Sequence, residues 1–508
     1  MSDHQPTKPM VQRGEVARGA AIAALARLGA LIEVVAQPIY TWLFGIATYG
    51  LYIVLLSVVK LSEKVFGLSL AHALQRIVPV ETEERAHAAV KFALIATLIP
   101  ATVAALLVSF HAQTLAQFIS TDAEDAAQLP MAVALFSWAL PLLVFAEITT
   151  AAIRARRGFG PELRLRILWQ QLARLIFAVG FFVSGLTTTG LMLAHLASQL
   201  FVAILSIRLL GHYYDLKLLV FAPLPSNLRK TALLSGIALM PSAVARRILN
   251  DLPPIILNLI LPGAQGATAA GLFGIARKVA SIPLMVRQAF HYVLAPLSSA
   301  QAAVDRMAIV PIYSFSVRVS AALAIPVGGT LAFLAPNILG LFGPGAEGAL
   351  GILLILVAGR VGEAIIGPAT PIVEMTKHRS FPLINSLAGI AVWAALAWWL
   401  TPKMGMEGMA IAVSVATVVI AWAAVIELIA IDRMQPFDIL FAKGTFTGIA
   451  GILLLYAIGM LLDPLGSTAR MTGILSMLLP ICWLTLRAGL GSDDRHALGK
   501  PARVLRLA

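Results

Sequence analysis

Two short stretches of the chain share one pattern. Residues 45–54 read GIATYGLYIV and residues 266–275 read GATAAGLFGI. Each stretch begins with a glycine and places Gly-Leu-aromatic five residues later, and the second stands 221 residues after the first. Glycines allow a tight turn and a close approach of backbones. We therefore expect each stretch to form the turn that leads into a packed helix.

The match extends far beyond the two stretches. Further pairs follow in the same order at offsets between 219 and 226, namely Ala24 to Arg27 with Ala243 to Arg246, Ile99-Pro100 with Ile325-Pro326, and Leu115 and Phe118 with Leu339 and Phe342. Ordered matches at a nearly constant spacing are typical of an internal duplication. The chain is predicted to contain two equivalent halves.

The composition places these halves in a membrane. Hydrophobic residues make up 59% of the 508 residues and charged residues only 12%, and the mean hydropathy is +0.88. Apolar windows of roughly twenty residues, long enough to cross a bilayer as a helix, recur along nearly the whole length. Alternating ten-residue strands are absent. We predict an all-α polytopic membrane protein with about fourteen transmembrane helices.

The repeat divides these helices into lobes. We expect a tail at 1–18, a six-helix lobe at 19–210, a linker at 211–230, a second six-helix lobe at 231–432, two additional helices at 433–490 and a basic tail at 491–508. Because six is even, both lobes enter the membrane in the same direction, and their pseudo-twofold axis runs along the membrane normal. In such transporters the substrate site lies between the lobes near the midplane.

Charge placement predicts the orientation. Most of the 38 Lys and Arg fall in the termini and in every second connection, whereas only Lys403 and Arg470 fall in connections on the other side. The positive-inside rule then puts both termini in the cytoplasm. The arginine-rich connection after the fourth span is expected to serve as a topology signal and to contact anionic lipid headgroups. Its arginines are Arg154, Arg156, Arg157, Arg164 and Arg166. The net charge of +13 therefore indicates a membrane surface and no nucleic acid.

Charged residues inside the spans are the main functional signal, because each costs about 2.5–3.5 kcal/mol or more near the bilayer centre. Arg27, Arg174, Arg318 and Glu427 lie near the cytoplasmic edge, where long side chains are expected to reach the interface. Arg360 and Glu363 are spaced to neutralise each other on one helix, as are Arg247 and Asp251.

After these pairs are set aside, an excess of positive charge remains. Arg277 and Lys278 have no acid within one turn, and Lys60, Glu63 and Lys64 share a face with one cation in excess. Guanidinium and ammonium groups at membrane depth suit phosphate or carboxylate oxygens. We predict an anion-binding cavity built from Lys60, Lys64, Arg246, Arg247, Arg277, Lys278 and Arg287. The candidate ion-coupling carboxylates are Glu33, Glu63 and Asp251.

Residues 44–79, FGIATYGLYIVLLSVVKLSEKVFGLSLAHALQRIVP, and residues 266–299, GATAAGLFGIARKVASIPLMVRQAFHYVLAPLSS, resemble bacterial polysaccharide flippases of the multidrug/oligosaccharidyl-lipid/polysaccharide (MOP) exporter superfamily. The likeness covers about residues 20–430. It implies a two-lobed transporter, not an enzyme, that works by alternating access in the bacterial inner membrane. The implied cargo is undecaprenyl-pyrophosphate-linked oligosaccharide, moved to the outer leaflet for O-antigen, capsule or exopolysaccharide synthesis.

We also expect a monomer that binds no cofactor or metal, with a polysaccharide polymerase and chain-length machinery as its partners. Three alternatives stay open. A lipid II flippase of the superfamily shares the fourteen spans and the cationic cavity, although its Ser-Arg-rich first span is missing here. A drug/cation antiporter would need an acid-rich cavity. A membrane-embedded glycosyl polymerase or ligase would need a larger outward loop or a paired acidic motif.

Overall fold

The computed structural model describes residues 29–156, 164–288, 307–375 and 380–498. Over these ranges the regular secondary structure is helical, with no strand. Eleven helical segments of the described ranges, some of them made of consecutive helices, are long and apolar enough to cross a membrane. The predicted all-α polytopic membrane fold is therefore confirmed.

We number the α-helices of seven or more residues in chain order. In the first half these are α1 (Gly29–Phe66), α2 (Leu70–Ile77), α3 (Glu83–Phe110), α4 (Leu129–Ser137), α5 (Ala139–Ala155), α6 (Gln170–Val183) and α7 (Gly190–Tyr213). In the second half they are α8 (Ser226–Ile260), α9 (Gly263–Val279), α10 (Val310–Gly340), α11 (Leu350–Ala364), α12 (Ala369–Met375) and α13 (Phe381–Ala430), followed by α14 (Ile439–Leu462), α15 (Ser467–Gly489) and α16 (Ser492–Leu498).

Two of the long helices each take in two of the predicted spans. The chain bends at Gly45 within α1, where φ is +80°, and at Gly405 within α13, where φ is +57°. Glycine adopts this left-handed conformation without the steric cost that a side chain brings. The span predicted around residue 281 begins within α9, which has 17 residues and ends at Val279, and its far end lies outside the described residues. The first turn predicted from the repeated stretch is the bend at Gly45.

The last two long helices belong to the second half of the fold. The helices α14 and α15 pack against each other and against α10. The Thr485 hydroxyl donates to the Ala322 carbonyl at 2.7 Å. The buried Arg318 of α10 forms ion pairs with Asp438 at 2.9 Å and Asp494 at 3.1 Å. These contacts attach the C-terminal helices to α10. Among the long helices of the described ranges, α10 is the one with which α14 and α15 both make extensive contact.

The two repeated stretches meet each other. Helix α1 packs along α9, and a Cβ atom added at Gly271 would lie 3.2 Å from the Cα atom of Gly50. The two glycines are equivalent positions of the repeat, so the duplicated helices cross at their glycines. Nearby, the Trp42 indole donates to the Leu341 carbonyl at 2.7 Å. We call this end of the bundle the Gly45 side.

A reciprocal pair of hydrogen bonds also joins the halves on the Gly45 side. The Ser120 amide donates to Oδ1 of Asn258 at 3.0 Å, and Nδ2 of Asn258 donates to the Ser120 carbonyl at 2.7 Å. At the opposite end, α2 packs on the first part of α8. There a Cβ atom at Gly236 would lie 2.5 Å from the Leu68 carbonyl oxygen. Helix α8 therefore contacts the first half near both of its ends.

Several side chains that suit the membrane surface are buried instead. Tyr52 and Phe273, the aromatic residues of the two repeated stretches, are 3% and 0% exposed, so they pack inside the bundle and not in the interfacial belt that aromatic side chains favour. Arg174 and Arg318, expected to reach the interface, are each 6% exposed. Residues far away in sequence supply their partners, which spacing along one helix does not reveal. Arg27 lies outside the described residues.

Candidate functional site

The structure divides the predicted site residues among three places. Lys60, Arg247, Asp251, Arg277, Lys278 and Glu33 lie together between the two halves, and we call this group the central cluster. Lys64 and Glu63 lie within the first half. Arg246 and Arg287 line a cavity within the second half. The sequence predicted a single cavity. Spacing along a helix shows which residues share a face of that helix, but not which neighbouring helices that face contacts.

Ion pairs hold the central cluster together. Lys278 of α9 contacts Glu33 of α1 at 2.6 Å between Nζ and Oε2, so this pair joins the two halves. Asp251 of α8 receives two arginines, with Arg247 at 2.7 Å and Arg277 at 3.6 Å. The prediction that Arg247 and Asp251 pair is confirmed. Arg277 and Lys278 have no acid within one turn of their own helix, as predicted, but the expectation that they remain unpaired is wrong, since both acidic partners come from other helices.

Lys60 is the cation of the cluster that has no direct partner. Its ammonium group makes no hydrogen bond or ion pair with any residue of the described ranges. Arg247, Asp251, Glu33 and Arg277 are the charged groups that act on it at longer range. Four basic side chains of the cluster therefore share two carboxylates, and the excess charge is positive.

Several buried atoms of the cluster lack a hydrogen bond. Arg247 Nε, Arg277 Nη1 and Asp251 Oδ2 are buried without a hydrogen-bond partner in the described part of the chain. The Arg277 contact is too long for a hydrogen bond at 3.6 Å, whereas the Arg247 contact at 2.7 Å is close enough but not aligned as one. An unsatisfied buried polar atom costs about 1–3 kcal/mol. The Asp251 side chain is 3% exposed, whereas Arg247 retains 31%. The cluster is therefore partly exposed, at Arg247 and at Lys278, whose side chain is 27% exposed.

The cluster lies well inside the helix bundle. Along α9, Arg277 stands roughly 21 Å from the first residue, Gly263, at the helical rise of 1.5 Å per residue. That distance is about two thirds of a hydrocarbon layer of roughly 30 Å. The crossing of α1 and α9 at Gly50 and Gly271 lies between the cluster and the Gly45 side, so it separates the cluster from that side.

Lys64 and Glu63 contact each other at 2.9 Å. The charged groups that act on Glu63 include Glu147 and Arg166, and Glu147 itself pairs with Arg154 and Arg166. This second group lies within the first half and contains residues of the arginine-rich connection. Lys64 and Glu63 therefore interact with the arginine-rich connection and not with Lys60, although Lys60 and Lys64 are four residues apart.

The cavity in the second half, which we call the second-lobe cavity, has a volume of about 200 Å³. Glu363 of α11 pairs with both Arg287 and Arg360, the latter at 2.8 Å. The prediction that Arg360 and Glu363 pair is confirmed, but Arg287 shares the same carboxylate. Arg287 also donates to the Gly367 carbonyl at 3.0 Å.

The first half contains a buried polar chain that was not predicted from the sequence. Arg174 donates to the Tyr52 hydroxyl at 3.1 Å, and that hydroxyl lies 3.1 Å from Nδ1 of His195. Gln199 contacts the other nitrogen of the His195 ring at 3.4 Å. The signal in the sequence was the spacing of His195 and Gln199, polar residues four apart on an apolar helix. Arg174 also acts on Glu33 at longer range, which connects this chain to the central cluster.

No family model matches the chain, and no curated protein matches it. Solved structures do. A lipid II flippase, MurJ, in an inward closed conformation has a TM-score of 0.69 at 14% identity over 91% of this chain and 97% of that one. An inward-facing multidrug resistance transporter of the MATE family of the MOP superfamily has a TM-score of 0.63 at 13% identity, over 85% and 98%.

A third similar structure is a MOP superfamily transporter from Pyrococcus furiosus, with a TM-score of 0.60 at 13% identity over 82% of this chain and 95% of that one. That protein is described as having a binding pocket of reverse polarity. These identities are low, so the likeness concerns the fold. The chain has the fold that lipid II flippase MurJ and the transporters of the MOP superfamily share.

Proposed function

We propose that the protein is a flippase that moves an undecaprenyl-pyrophosphate-linked oligosaccharide from the inner to the outer leaflet of a bacterial inner membrane, for surface polysaccharide synthesis. The observation that carries the proposal is the central cluster, in which four cations from both halves share two carboxylates. Such a site suits an anion with several oxygens, because arginine forks and lysine point charges both bind phosphate groups.

In the proposed binding step, the pyrophosphate takes the place of the carboxylates. Lys60 has no direct partner and is ready to receive a phosphate oxygen. Arg277 and Arg247 share one carboxylate and each keep a buried nitrogen without a hydrogen bond, so a phosphate group that enters the cluster offers them further acceptors. Glu33 and Asp251 serve as internal counter-ions in the empty site. The lipid tail stays in the bilayer, and the sugar occupies the space between the halves.

The transport step is a rocking of the two halves around this cluster. Contacts at Gly50 with Gly271 and at Ser120 with Asn258 close the Gly45 side, which the charge distribution predicts to be the outer side. Opening these contacts while the opposite end closes would expose the headgroup outward. Glu33 and Lys278 belong to different halves, so cargo binding at Lys278 alters a bond between the halves.

A vesicle assay tests this proposal. The purified chain is reconstituted with a fluorescent undecaprenyl-pyrophosphate oligosaccharide, and transfer between leaflets is followed by an impermeant quencher. Lys60→Ala and Arg277→Ala should each reduce the transfer rate at least tenfold. Lys443→Ala, a lysine of α14 far from the cluster in sequence and exposed, is the matched control and should keep the rate. Full transfer by Lys60→Ala at equal protein level would contradict the proposal.

A lipid II flippase is the second candidate. One observation favours it, since the MurJ structure aligns with 91% of this chain, whereas the MATE structure aligns with 85%. The central cluster would serve this cargo equally, because it recognises the anionic headgroup and not the sugar. The same vesicle assay with lipid II as cargo distinguishes the two. The positive excess of the cluster disfavours a carrier of cationic drugs.

A further inference from the structure

The polar chain of the first half closes on itself around Arg174. With the Gln170 amide oriented to satisfy both of its neighbours, its oxygen accepts from Arg174 Nη2 at 3.3 Å and from Gln199 Nε2 at 3.0 Å. Gln199 also contacts the His195 imidazole, and the Tyr52 hydroxyl lies between that imidazole and Arg174 Nη1. Both groups that accept a hydrogen bond from Arg174, the tyrosine hydroxyl and the glutamine oxygen, are uncharged.

Arg174 is therefore a buried cation that has no paired carboxylate among the described residues. It is 6% exposed, and its Nε atom is buried without a hydrogen-bond partner in the described part of the chain. A buried charge is costly unless it is paired. The polar chain occupies Nη1 and Nη2, so Nε is the donor that remains available to an acid. The carboxylate that acts on Arg174 at longer range is that of Glu33.

Glu33 lies on a face of α1 that packs against tyrosines of the first half. Glu33, Gln37 and Tyr40 follow at spacings of four and three residues, so they share one face of the helix. Gln37 accepts a hydrogen bond from the Tyr49 hydroxyl at 2.9 Å, and the Tyr49 ring centroid lies 6.1 Å from that of Tyr52. The face of α1 that carries Glu33 thus continues toward the polar chain.

The structure shows Glu33 bound to the other half of the protein. Its carboxylate contacts Lys278 of α9 at 2.6 Å, while Lys60 and Arg174, both of the first half, act on it at longer range. In the proposed binding step, Lys60 and Lys278 receive oxygens of the pyrophosphate. Of the three cations that act on Glu33, only Arg174 then remains for the displaced carboxylate.

We propose that Arg174 is a positioning residue, which receives the Glu33 carboxylate through its Nε atom when cargo displaces Glu33 from Lys278. The exchange replaces an ion pair between the halves by one within the first half. It removes a bond that holds the halves together when cargo is bound, and so links their opening to an occupied site. Arg174 acts through Glu33 and does not touch the cargo. This inference rests on the proposed function.

A double-mutant cycle on the purified full-length chain tests the exchange, with farnesyl pyrophosphate as the headgroup probe and titration calorimetry as the measurement. Arg174→Gln should weaken binding roughly fivefold or more, because the displaced Glu33 loses its new partner. In the Glu33→Gln background the same change should cost less than twofold, since no carboxylate is displaced. Arg208→Gln removes an exposed arginine of the first half and is the control, which should keep the affinity within twofold.

Equal losses of affinity from Arg174→Gln in the two backgrounds would overturn the proposal, because a merely structural role of Arg174 acts in both. Failure of the wild-type protein to bind farnesyl pyrophosphate would instead contradict the proposed function.

A measurement without cargo tests the exchange separately. Lys60→Gln combined with Lys278→Gln removes the two cations that cargo would occupy, so Glu33 should already pair with Arg174 in this double variant. Arg174→Gln should then lower the unfolding temperature more in the double variant than in wild-type protein, and an equal or smaller effect would overturn the proposal. If Arg174→Gln does not fold, Glu33→Gln replaces it. Glu33→Gln should lower the unfolding temperature of the double variant, whereas a higher temperature would show that Glu33 had been left unpaired and would contradict the exchange.

Discussion

Gly50 and Gly271, equivalent residues of the two repeated stretches, pack against each other where α1 crosses α9. A Cβ atom at Gly50 would lie 1.8 Å from the Ala267 carbonyl oxygen, and one at Gly271 would lie 2.6 Å from the Ile46 carbonyl oxygen. Neither distance is compatible with a side chain. Both residues must be glycine for the halves to meet in this way.

Gly50→Ala should therefore open the Gly45 side. The backbone carbonyl of Ala267 cannot move away without separating α1 from α9, so the closed contact is lost. With Cys482 replaced by serine, a reporter cysteine in place of the buried Ala270 should react with an impermeant maleimide at least fivefold faster. Gly180→Ala is the control, because a Cβ atom there meets nothing within 4 Å. An unchanged labelling rate in folded Gly50→Ala protein would contradict this account of the crossing.

The repeat predicted that Gly50 and Gly271 are equivalent, but not that they touch. Composition and periodicity were enough to predict the helices, since a run of about twenty apolar residues crosses a bilayer as a helix. The ion-pair partners of the charged residues could not be predicted in the same way. Lys278 and Glu33 meet through a helix crossing, and no local spacing encodes such a contact. Pairs within one helix, such as Arg247 with Asp251, were predicted correctly because helical geometry fixes them.

Removing the acid of the pair that joins the halves should strengthen headgroup binding. Glu33 competes with a pyrophosphate for Lys278, so Glu33→Gln should bind farnesyl pyrophosphate about tenfold more tightly, a gain of about 1.4 kcal/mol. Lys278→Gln should bind it more weakly. Titration calorimetry in detergent measures both.

Glu63→Gln is the matched control for Glu33→Gln, because Glu63 contacts Lys64 within the first half and should leave the affinity within twofold. If Glu33→Gln weakens binding instead, Glu33 is not a competing counter-ion.

The ion pairs of Arg318 should stabilise the attachment of the C-terminal helices. Arg318 and Asp494 are 6% and 1% exposed, and removing one partner of a buried pair typically costs about 3–5 kcal/mol. Arg318→Met should accordingly lower the unfolding temperature in detergent strongly.

Arg470→Met removes the pair with Asp463, whose side chain is 67% exposed, and should cost below about 1 kcal/mol. Equal unfolding temperatures for Arg318→Met and Arg470→Met would show that Arg318 contributes no more than a surface pair.

Tyr52→Phe should destabilise the first half. Its hydroxyl connects Arg174 to His195, and losing it leaves buried polar groups unsatisfied at a cost of about 1–3 kcal/mol. The control is Tyr313→Phe, since the buried Tyr313 hydroxyl makes only a long bond of 3.5 Å to Ile366 among the described residues. A larger loss of unfolding free energy for Tyr313→Phe than for Tyr52→Phe would refute the importance of this polar chain.

The central claim is that the central cluster binds a pyrophosphate headgroup, and a cryo-electron microscopy structure of the full chain with undecaprenyl pyrophosphate tests it most directly. The account predicts phosphate density within hydrogen-bond distance of Lys60 Nζ and the Arg277 guanidinium, with Glu33 displaced from Lys278. Headgroup density elsewhere in the bundle, with the Glu33–Lys278 pair intact and Lys60 still lacking a partner, would contradict it.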